Sequence, residues 1–367
     1  MAKIPVGILG ATGMVGQQYI ALLANHPWFE VRYAAASPRS AGKKYGEAVA
    51  GRWHATGGAP HPSVWDLVVE DANDVSKALA AAEQGNCAFV FSALEMGKDE
   101  IRALEERYAA SGIPVVSNAS AHRWTEDVPM LIAEINPRHT DIIPLQKKNR
   151  LWDRGFIAVK PNCSIQSYMT PVWALMQAGY EVKRILVTTL QAVSGAGYPG
   201  PASLDLIDNI VPYIGGEEEK SEQEPLKILG SVSGNRIENY TGLTISAHCN
   251  RVSVIDGHTA CVSLEFGGKK PSIADVKKTW AAFRALPQEL GFPTAPEQPI
   301  IIREEADRPQ PRKDRDAGKA MAVSVGRIRP CNVFDLRFVG LSHNTVRGAA
   351  GGGILNAELL RAKGYIE

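Results

Sequence analysis

The sequence has few cysteines and no excess of charge of either sign. Five cysteines are scattered over 367 residues without a CxxC pair, which excludes a disulfide scaffold and argues against a zinc site. Forty Lys and Arg residues stand against 39 Asp and Glu, for a net charge of +1. Nucleic-acid binding proteins usually carry a basic excess or stripe. We therefore expect neither a metal nor a nucleic-acid partner.

Long apolar runs are also missing. No segment approaches the roughly 18 to 20 apolar residues that a transmembrane helix needs. The N-terminus, MAKIPVGILGATG, passes from one lysine directly into an apolar strand, without the apolar core and cleavage site of a signal peptide. These absences predict a cytoplasmic protein with no membrane partner. The length leaves room for two domains.

The first part of the chain alternates strands and helices. Apolar runs at 6–11, 31–37, 87–94 and 113–120 are typical of strands, and helical patterns cover 14–26 and 98–112. Alternation of this kind favours βαβ units and a parallel sheet. We predict a doubly wound, Rossmann-like nucleotide-binding domain over residues 1–158.

Beyond residue 158 the pattern changes. Strand-like stretches dominate, with helical patterns at 164–179, 203–214 and 345–364; the strands are predicted at 184–194, 243–255, 259–267, 320–328 and 333–342. Runs of strands with few helices favour an α+β domain with a mixed, largely antiparallel sheet. We assign this domain to 159–342 and expect the C-terminal helical segment, 343–367, to pack back on the first domain. The polar stretch 303–318 is predicted to be a solvated loop.

A glycine-rich loop follows the first predicted strand. GILGATGMVG (7–16) has the spacing G-x-x-G-x-x-G, which differs from the usual NAD fingerprint G-x-G-x-x-G. Between a strand and a helix, such a loop can bring backbone N–H groups against a pyrophosphate. The alternative is that the glycines only allow close packing of strand and helix. The predicted cofactor contacts here are Gly10, Thr12, Gly13, Met14 and Val15.

The end of the second strand indicates which nicotinamide cofactor is used. NAD enzymes usually carry an acidic residue here, whereas this chain has Ser37, Arg39 and Ser40. A guanidinium and two hydroxyls suit the 2′-phosphate of NADP. A solvated arginine in a loop is the alternative.

The sequence KPNCS places Cys163 between a strand and a helix. We expect the positive end of the helix to stabilise a thiolate and lower the pKa of this thiol, which would make it a nucleophile. The amide of Asn162 could donate to an oxyanion. The other four cysteines are interpreted as small buried side chains, which is the alternative for Cys163 too.

A histidine in a turn is the candidate proton carrier. His258 follows an Asp–Gly turn signal in RVSVIDGH, and Arg251 lies seven residues earlier. Most histidines in turns are simply solvated, so this motif alone would be weak.

Together these motifs resemble the aspartate-semialdehyde dehydrogenase family. The resemblance spans nearly the whole chain, in the family's order and spacing. It is carried by GATGMVG (10–16), SNASAHRWTEDVP (117–129), KPNCS (160–164), LQAVSGAG (190–197), GEEEK (216–220), NRVSVIDGH (250–258) and SHNTVRGAAGGGILNAELL (342–360). DRPQPRKDRDAG (307–318) is similar to the archaeal and fungal branch. Two departures, SALEMG for SALP and IAEIN for IPEIN, put the loop shape near the cofactor in doubt.

The resemblance implies a role for each matching residue. Cys163 is the nucleophile and His258 the acid/base. The remaining implied contacts are Arg251 with the substrate α-carboxylate, Glu217 with its ammonium, Arg123 and Lys220 with phosphate, Gln191 with the thioacyl group, and Ser92, Asn118, Ser194, Gly195 and Asn344 with the cofactor. Glu217 and Lys220 stand three residues apart, so on a helix they face one pocket. The alternative for this charge run is a solvated helix face.

The implied reaction is the NADPH-dependent reduction of L-4-aspartyl phosphate to aspartate semialdehyde through a cysteine thioester, on the way to lysine, threonine, methionine and isoleucine. An N-acetyl-gamma-glutamyl-phosphate reductase and a non-catalytic NADP-sensing regulator are the alternatives. Glu217 argues against the first, because an acetylated amine has no charge to pair. We also expect a homodimer or homotetramer that assembles through the second domain, since region 243–342 has more apolar segments than one small sheet face would bury.

Overall fold

A computed structural model describes residues 2–55 and 58–367. Within these ranges a first sheet of six parallel strands has the order β3-β2-β1-β4-β5-β6. Its strands are β1 Ile4–Leu9, β2 Phe29–Ala36, β3 Val69–Asp71, β4 Phe89–Ser92, β5 Val115–Ser117 and β6 Ile157–Val159. The strand order reverses between β1 and β4, which is where doubly wound sheets bind dinucleotides.

Helices connect these strands. They are α1 Met14–Leu23, α2 Tyr45–Ala48, α3 Pro62–Trp65, α4 Val75–Glu83, α5 Lys98–Ala110 and α6 Ile143–Arg150, with a 3₁₀ helix at Pro137–Ile142. The strands are buried on both faces, as their continuous apolar sequences require. The glycine loop lies directly after β1, at the carboxyl edge of this sheet.

The second sheet has the order β10-β7-β11-β14-β13-β12. Its three inner pairings are antiparallel, and the pairings β10–β7 and β12–β13 are parallel. The strands are β7 Glu181–Gln191, β10 Thr244–Arg251, β11 His258–Gly267, β12 Ile300–Arg303, β13 Val323–Pro330 and β14 Leu336–Ser342; a separate hairpin joins β8 Ser231–Ser233 to β9 Arg236–Glu238. The predicted fold class, a parallel sheet domain plus a mixed and largely antiparallel one, is confirmed.

The helices of the second part lie around one face of this sheet and at its ends. The α-helices are α7 Met169–Gln177, α8 Glu217–Ile228, α9 Ile273–Ala282, α10 Leu286–Glu289 and α11 Pro311–Asp314, and short 3₁₀ turns occupy Ser164–Ser167, Val193–Ala196 and Ser203–Asp205. Apolar residues of α7 and α9 form one core with the inward-facing residues of β7, β10, β11, β13 and β14. No helix in the described ranges has the length and hydropathy of a membrane span.

The C-terminal helix returns to the first sheet. A π-turn at Val346–Ala350 leads into α12, Gly351–Ala362. Asn356 donates to the Leu131 carbonyl, and Glu358 pairs with His26 at 2.8 Å. This helix therefore connects the second sheet to α1 and the first sheet. The domain boundaries at 158 and 342 stay a prediction.

Two expectations about segments of the second part are wrong. Residues 203–214 do not form a helix: only Ser203–Asp205 makes a 3₁₀ turn, and Leu204, Ile207, Ile210 and Tyr213 are exposed. Most apolar side chains of this run are not packed against another part of the described structure, and a helix of this length depends on such packing.

The polar segment 303–318 is not simply a solvated loop. It contains the end of β12, helix α11 and the buried Asp314, which pairs with Arg303 and Arg308. These charges satisfy one another inside the fold, so polarity alone was a poor guide to exposure.

Candidate active site

The glycine loop brings two backbones unusually close together. Gly10 has φ +77°, and a Cβ there would lie 2.3 Å from the Ala93 carbonyl oxygen after β4. A Cβ on Gly16 would lie 2.2 Å from the Gly10 oxygen. Only glycine fits at these points. Helix α1 begins after Gly13 with no side-chain cap, so N–H groups of its first turn remain free to hold an anion.

A cleft of about 250 Å³ lies beside this loop. Its wall is formed by the start of α1, the loops after β4, β5 and β7, the Cys163 segment, α8 and the C-terminal segment. They include Met14, Val15, Glu95, Asn118, Ser120, Arg123, Lys160, Asn162, Cys163, Ser194, Gly195, Gly197, Glu217, Lys220, Asn344, Thr345, Gly348 and Ala349. Most of the residues predicted for the site therefore share one cleft.

A thiol and an imidazole face each other at this cleft. Cys163, just before the 3₁₀ turn Ser164–Ser167, has its Sγ 3.3 Å from Nε2 of His258, the first residue of β11. A Cβ on Gly195 would lie 3.1 Å from the His258 Cε1 atom, so glycine at 195 lets that loop pass close to the imidazole. The pair has the geometry of a nucleophile in hydrogen-bond contact with an acid/base group.

The His258 ring has a fixed tautomer. The Ala192 backbone N–H donates to Nδ1 at 3.0 Å, so Nδ1 carries no proton and the neutral ring holds its proton on Nε2. Burial, together with the charge of Arg251, lowers the pKa of His258 to about 3. The imidazole is therefore neutral at physiological pH and presents an N–H toward the sulfur.

The expectation that a helix end lowers the pKa of the Cys163 thiol is wrong. Burial raises this pKa, as does the nearby Glu217 carboxylate, while Lys160, Arg123 and Arg251 act to lower it. The helix that follows is a single 3₁₀ turn of four residues, too short to supply a large dipole. Burial and the charged side chains around it, and not a helix end, set the state of this thiol.

Glu217 is the centre of a hydrogen-bond network. The Asn162 amide donates to both of its carboxylate oxygens at 2.9 Å, and Lys220 pairs with it at 2.8 Å. The Gln191 amide donates to it at 3.2 Å. Burial favours protonation, but Lys220, Asn162 and Gln191 outweigh burial and hold the pKa of Glu217 below its ordinary value. The cleft thus contains an ionised carboxylate, and Asn162 orients it.

Two arginines approach the thiol from different sides. Arg251 Nη1 donates to the Ala192 carbonyl at 2.7 Å, which places its guanidinium next to His258. Arg123 Nη1 pairs with the buried Glu224 at 2.8 Å, and its Nη2 donates to the Asn118 carbonyl. Each guanidinium retains further N–H groups that an anion could bind.

The C-terminal segment is tied to the loop after β7. Asn344 donates to the Ser194 hydroxyl at 2.8 Å and accepts from the Gly257 N–H at 2.8 Å. Ser194, Gly195 and Asn344, predicted together from the resemblance, thus lie together at the cleft.

The predicted cofactor contacts at strand ends differ in their surroundings. Asn118 faces the cleft, donates to the Tyr19 hydroxyl, and has a buried amide oxygen with no partner in the described part of the chain. Ser92 is fully buried and does not line the cleft. Arg39 and Ser37 are exposed after β2, and Ser40 is buried in the same turn.

Three charged residues that line the cleft or support it are not among the residues predicted from the sequence. Lys160 and Glu95 line the cleft, and Glu224 holds both the Asn162 N–H, at 2.6 Å, and Arg123. Glu224 follows Glu217 by seven residues, a spacing that marks one helix face and could have found it. Lys160 is part of the KPNCS motif but carried no separate signal. Glu95 is the acidic residue of the SALEMG departure.

Comparisons with known proteins agree with this geometry. Family models described as the NAD binding domain and the dimerisation domain of semialdehyde dehydrogenases match residues 5–143 and 172–347. A protein from Archaeoglobus fulgidus named aspartate-semialdehyde dehydrogenase is 48% identical, covering 98% of each chain, and one of that name from Aspergillus fumigatus is 45% identical over 100% of each. The chain belongs to the aspartate-semialdehyde dehydrogenase family.

The solved structures of aspartate-semialdehyde dehydrogenases carry the same fold. The enzyme from Candida albicans, determined with NADP, is 40% identical with a TM-score of 0.88 and full coverage of both chains. The second aspartate-semialdehyde dehydrogenase of Vibrio cholerae, at 23% identity and a TM-score of 0.74, supports the fold alone. The similarity to archaeal and fungal relatives agrees with the branch predicted from 307–318.

Proposed function

We propose that this chain catalyses the NADPH-dependent reduction of L-4-aspartyl phosphate to L-aspartate 4-semialdehyde, with release of phosphate. The observation that carries this is the contact between Cys163 Sγ and His258 Nε2, at 3.3 Å, beside an ionised carboxylate and several cations. A thiol nucleophile suits an acyl phosphate, because forming a thioester divides one difficult reduction into two easier steps.

The first domain fits a dinucleotide. The glycine loop after β1 accepts no Cβ at Gly10 or Gly16, α1 begins uncapped, and the buried Asn118 amide oxygen has no partner among the described residues. We assign the pyrophosphate to residues 10–15, the 2′-phosphate to Ser37, Arg39 and Ser40, and the nicotinamide end to Asn118, Ser194, Gly195 and Asn344. When bound, the cofactor supplies hydride to the thioester carbon.

The residues around Cys163 account for the first step. The thiolate attacks the acyl carbon of the substrate, and the bond from that carbon to the phosphate oxygen breaks. Arg123 and Lys220 bind the departing phosphate, whose charge they match. His258 presents its Nε2–H to the oxygen that becomes negative at the reacting carbon, and Gln191 orients the thioacyl group.

Two charges select the amino-acid end of the substrate. Arg251 binds the α-carboxylate, and Glu217 binds the ammonium, with Asn162 and Lys220 fixing the Glu217 carboxylate. An N-acetylated substrate has no ammonium to pair with Glu217, so it lacks a charge-assisted interaction that aspartyl phosphate can make. We therefore favour aspartyl phosphate over N-acetylglutamyl phosphate.

The decisive experiment is an assay of the purified chain in the direction of aspartate semialdehyde oxidation. Aspartate semialdehyde and phosphate are supplied with NADP or with NAD, and the absorbance of the reduced nicotinamide is followed. We expect turnover with NADP that depends on phosphate. Turnover only with the N-acetylglutamyl substrate would reassign the enzyme, and cofactor binding without turnover of either would favour the regulator.

The chain also has an exposed apolar surface suited to self-association. Tyr198, Leu204, Ile207, Ile210 and Tyr213 are each more than half exposed in one segment of the region matched by the dimerisation model. In the strands of 243–342, the inward-facing apolar residues pack with α7 and α9. We propose a cytoplasmic homodimer or homotetramer whose interface includes this segment. Light scattering at micromolar concentration tests it, and a mass near 39.6 kDa would contradict it.

A further inference from the structure

Lys160 is a buried lysine at the reactive end of the cleft. It is 2% exposed, lies three residues before Cys163 and lines the same cleft. Nζ donates to the Pro161 carbonyl at 2.6 Å, which is its sole hydrogen bond within the described ranges. An ammonium has three donors, so a buried one would leave two of them unused. A neutral amine has one fewer donor and a free lone pair.

The groups around Lys160 explain why its proton is held weakly. Burial, followed by the charge of Arg123, lowers the pKa of Lys160 to about 7; Arg347 acts in the same direction, whereas Cys163 and Glu224 oppose it. Arg347 is itself paired with the buried Glu134. The methylene chain packs against the first turn of α12, where a Cβ on Gly352 would lie 3.3 Å from Lys160 Cδ.

Before the thiol attacks the substrate, His258 cannot accept the proton of Cys163. Its Nδ1 accepts the Ala192 N–H, so Nε2 already carries the ring's single proton and offers no lone pair to Cys163. A second proton on the ring would face that backbone N–H. The proton of the thiol must therefore leave to another group before attack.

We propose that Lys160 takes the proton of Cys163 and that its ammonium then stabilises the thiolate; this role rests on the proposed function. The S–H bond breaks, the electron pair stays on sulfur, and the proton passes through water in the cleft to the lone pair of Nζ. The thiol–amine pair and the thiolate–ammonium pair hold the same number of protons, so the exchange needs no other acid or base. Lys160 acts through Cys163 and is a positioning residue.

The charges on the thiol support this assignment. Among the cations that lower the pKa of Cys163, Lys160 has the largest effect, ahead of Arg123 and Arg251. The Glu217 carboxylate opposes all three. Removing Lys160 leaves Cys163 to lose its proton directly to the solution against burial and against Glu217.

The test is the pH dependence of Cys163 alkylation in the cofactor-free and substrate-free protein. Iodoacetamide modification of Cys163 is followed by mass spectrometry in the wild type, Lys160→Met and Lys160→Gln. We expect the midpoint to rise by roughly one to two pH units in both variants, as for the loss of a close opposite charge. This measurement needs no turnover, so it stands or falls separately from the substrate assignment.

Lys227→Met is the matched control. Lys227 is another buried lysine, whose burial lowers its pKa to about 8, but it donates to the carbonyls of Arg123 and Thr125 and does not line the cleft. We expect its alkylation midpoint to equal that of the wild type. A folded Lys160→Met protein, judged by its melting curve, with a wild-type midpoint would overturn the proposal.

The same coupling is measurable in the wild type if neither Lys160 variant folds. NMR of protein with ¹³C-labelled lysine should show one ε-carbon that titrates near neutral pH, and alkylation of Cys163 should lower its midpoint because the thiolate is gone. Lysine midpoints that are all unchanged by alkylation would refute the role of Lys160.

Discussion

The two sides of the cleft differ in how completely their polar groups are satisfied. On the chemical side, Glu217, Asn162, Gln191 and Lys220 bond to one another, and Ala192 fixes His258. On the cofactor side, the Asn118 amide oxygen has no partner in the part of the chain that the structure describes, and α1 begins uncapped. The chemical side is organised before any ligand binds, whereas the cofactor side offers unused groups.

This difference follows from the function of the chemical side and of the cofactor side. Catalysis gains most from dipoles and charges that are already in place when charge develops, because no free energy is then spent on reorienting them. A dinucleotide brings its own hydrogen-bonding groups and its own charge, so unpaired N–H groups and amides are the complement it requires. Substitutions on the chemical side should therefore damage turnover, and those on the cofactor side should change affinity.

The largest expected effect is that of Cys163→Ser. A serine hydroxyl stays protonated here and is a poor nucleophile, so kcat should fall on the order of 10³-fold or more. Cofactor affinity, measured by fluorescence titration, should be unchanged, since the cofactor side is separate. Cys261→Ser, at an exposed position on β11, is the control and should behave as wild type. Near-normal turnover of Cys163→Ser would remove this thiol from the mechanism.

A second prediction concerns a buried carboxyl group beneath the cofactor side. Burial raises the pKa of Glu105 to about 7; Ser117 donates to one of its oxygens. The other oxygen accepts no hydrogen bond within the described ranges and lies 4.0 Å from His122 Nε2. Since this folded-state pKa lies above the unfolded value, the native state binds more protons between about pH 4.5 and 7. Stability is therefore lost as pH rises through that window.

Glu105→Gln should remove this dependence, because the amide keeps an acceptor for Ser117 and cannot ionise. Thermal melting at pH 5 and pH 8 should show a variant that resembles wild type at the lower pH and gains on the order of 3 kcal/mol at the higher one. His122, whose pKa burial lowers to about 4, remains in both proteins and titrates mostly below this range. Parallel stability profiles for the two proteins would show that Glu105 ionises normally.

The third prediction concerns the Glu217 carboxylate, which is hydrogen-bonded before any ligand binds. Glu217→Gln keeps the shape of the network but loses the charge that pairs with the substrate ammonium and with Lys220. We expect kcat/KM for aspartate semialdehyde to fall about 10- to 100-fold, corresponding to roughly 1.5 to 3 kcal/mol. Glu219→Gln, an exposed position on the same helix without a hydrogen bond among the described side chains, is the matched control. Equal losses in the two variants would show that the helix charge, and not Glu217, matters.

On the chemical side of the cleft, the sequence predicted which residues take part but not the pKa of the thiol. On the chemical side, short motifs with fixed spacing gave Cys163, His258 and the Glu217–Lys220 pair, because chemistry demands particular residue types at those points. The predicted direction of the thiol pKa is wrong, because that pKa depends first on burial and then on Glu217, Lys160 and Arg123. The tertiary fold decides the burial and brings Glu217 and Arg123 to Cys163. The spacing of the residues in a short catalytic motif does not show whether their side chains are buried.

The fold class followed from hydrophobic periodicity, but segments with unusual burial did not. The apolar run at 203–214 predicts a helix, although most of its apolar side chains are exposed. The polar stretch 303–318 predicts a solvated loop, although Asp314 within it is buried with two arginines. In both cases the local pattern of residue types does not show which side chains the fold buries.

The smallest expected effect lies on the cofactor side, at Arg39. Its side chain is exposed after β2 and makes no hydrogen bond or ion pair to the rest of the described structure, so it is available for the 2′-phosphate. Arg39→Ala should lower the ratio of kcat/KM with NADP to kcat/KM with NAD about 10-fold. A charge-assisted pair contributes roughly 1.5 to 3 kcal/mol, and we expect the lower end of this range because the site is exposed to solvent. Arg32→Ala, an exposed arginine of β2 that pairs with Glu30, should leave the ratio unchanged. Because the contact is exposed, the loss should also shrink at high salt, unlike the loss in Glu217→Gln. An unchanged cofactor ratio in Arg39→Ala would mean that Ser37, Ser40 or the backbone recognises the phosphate instead.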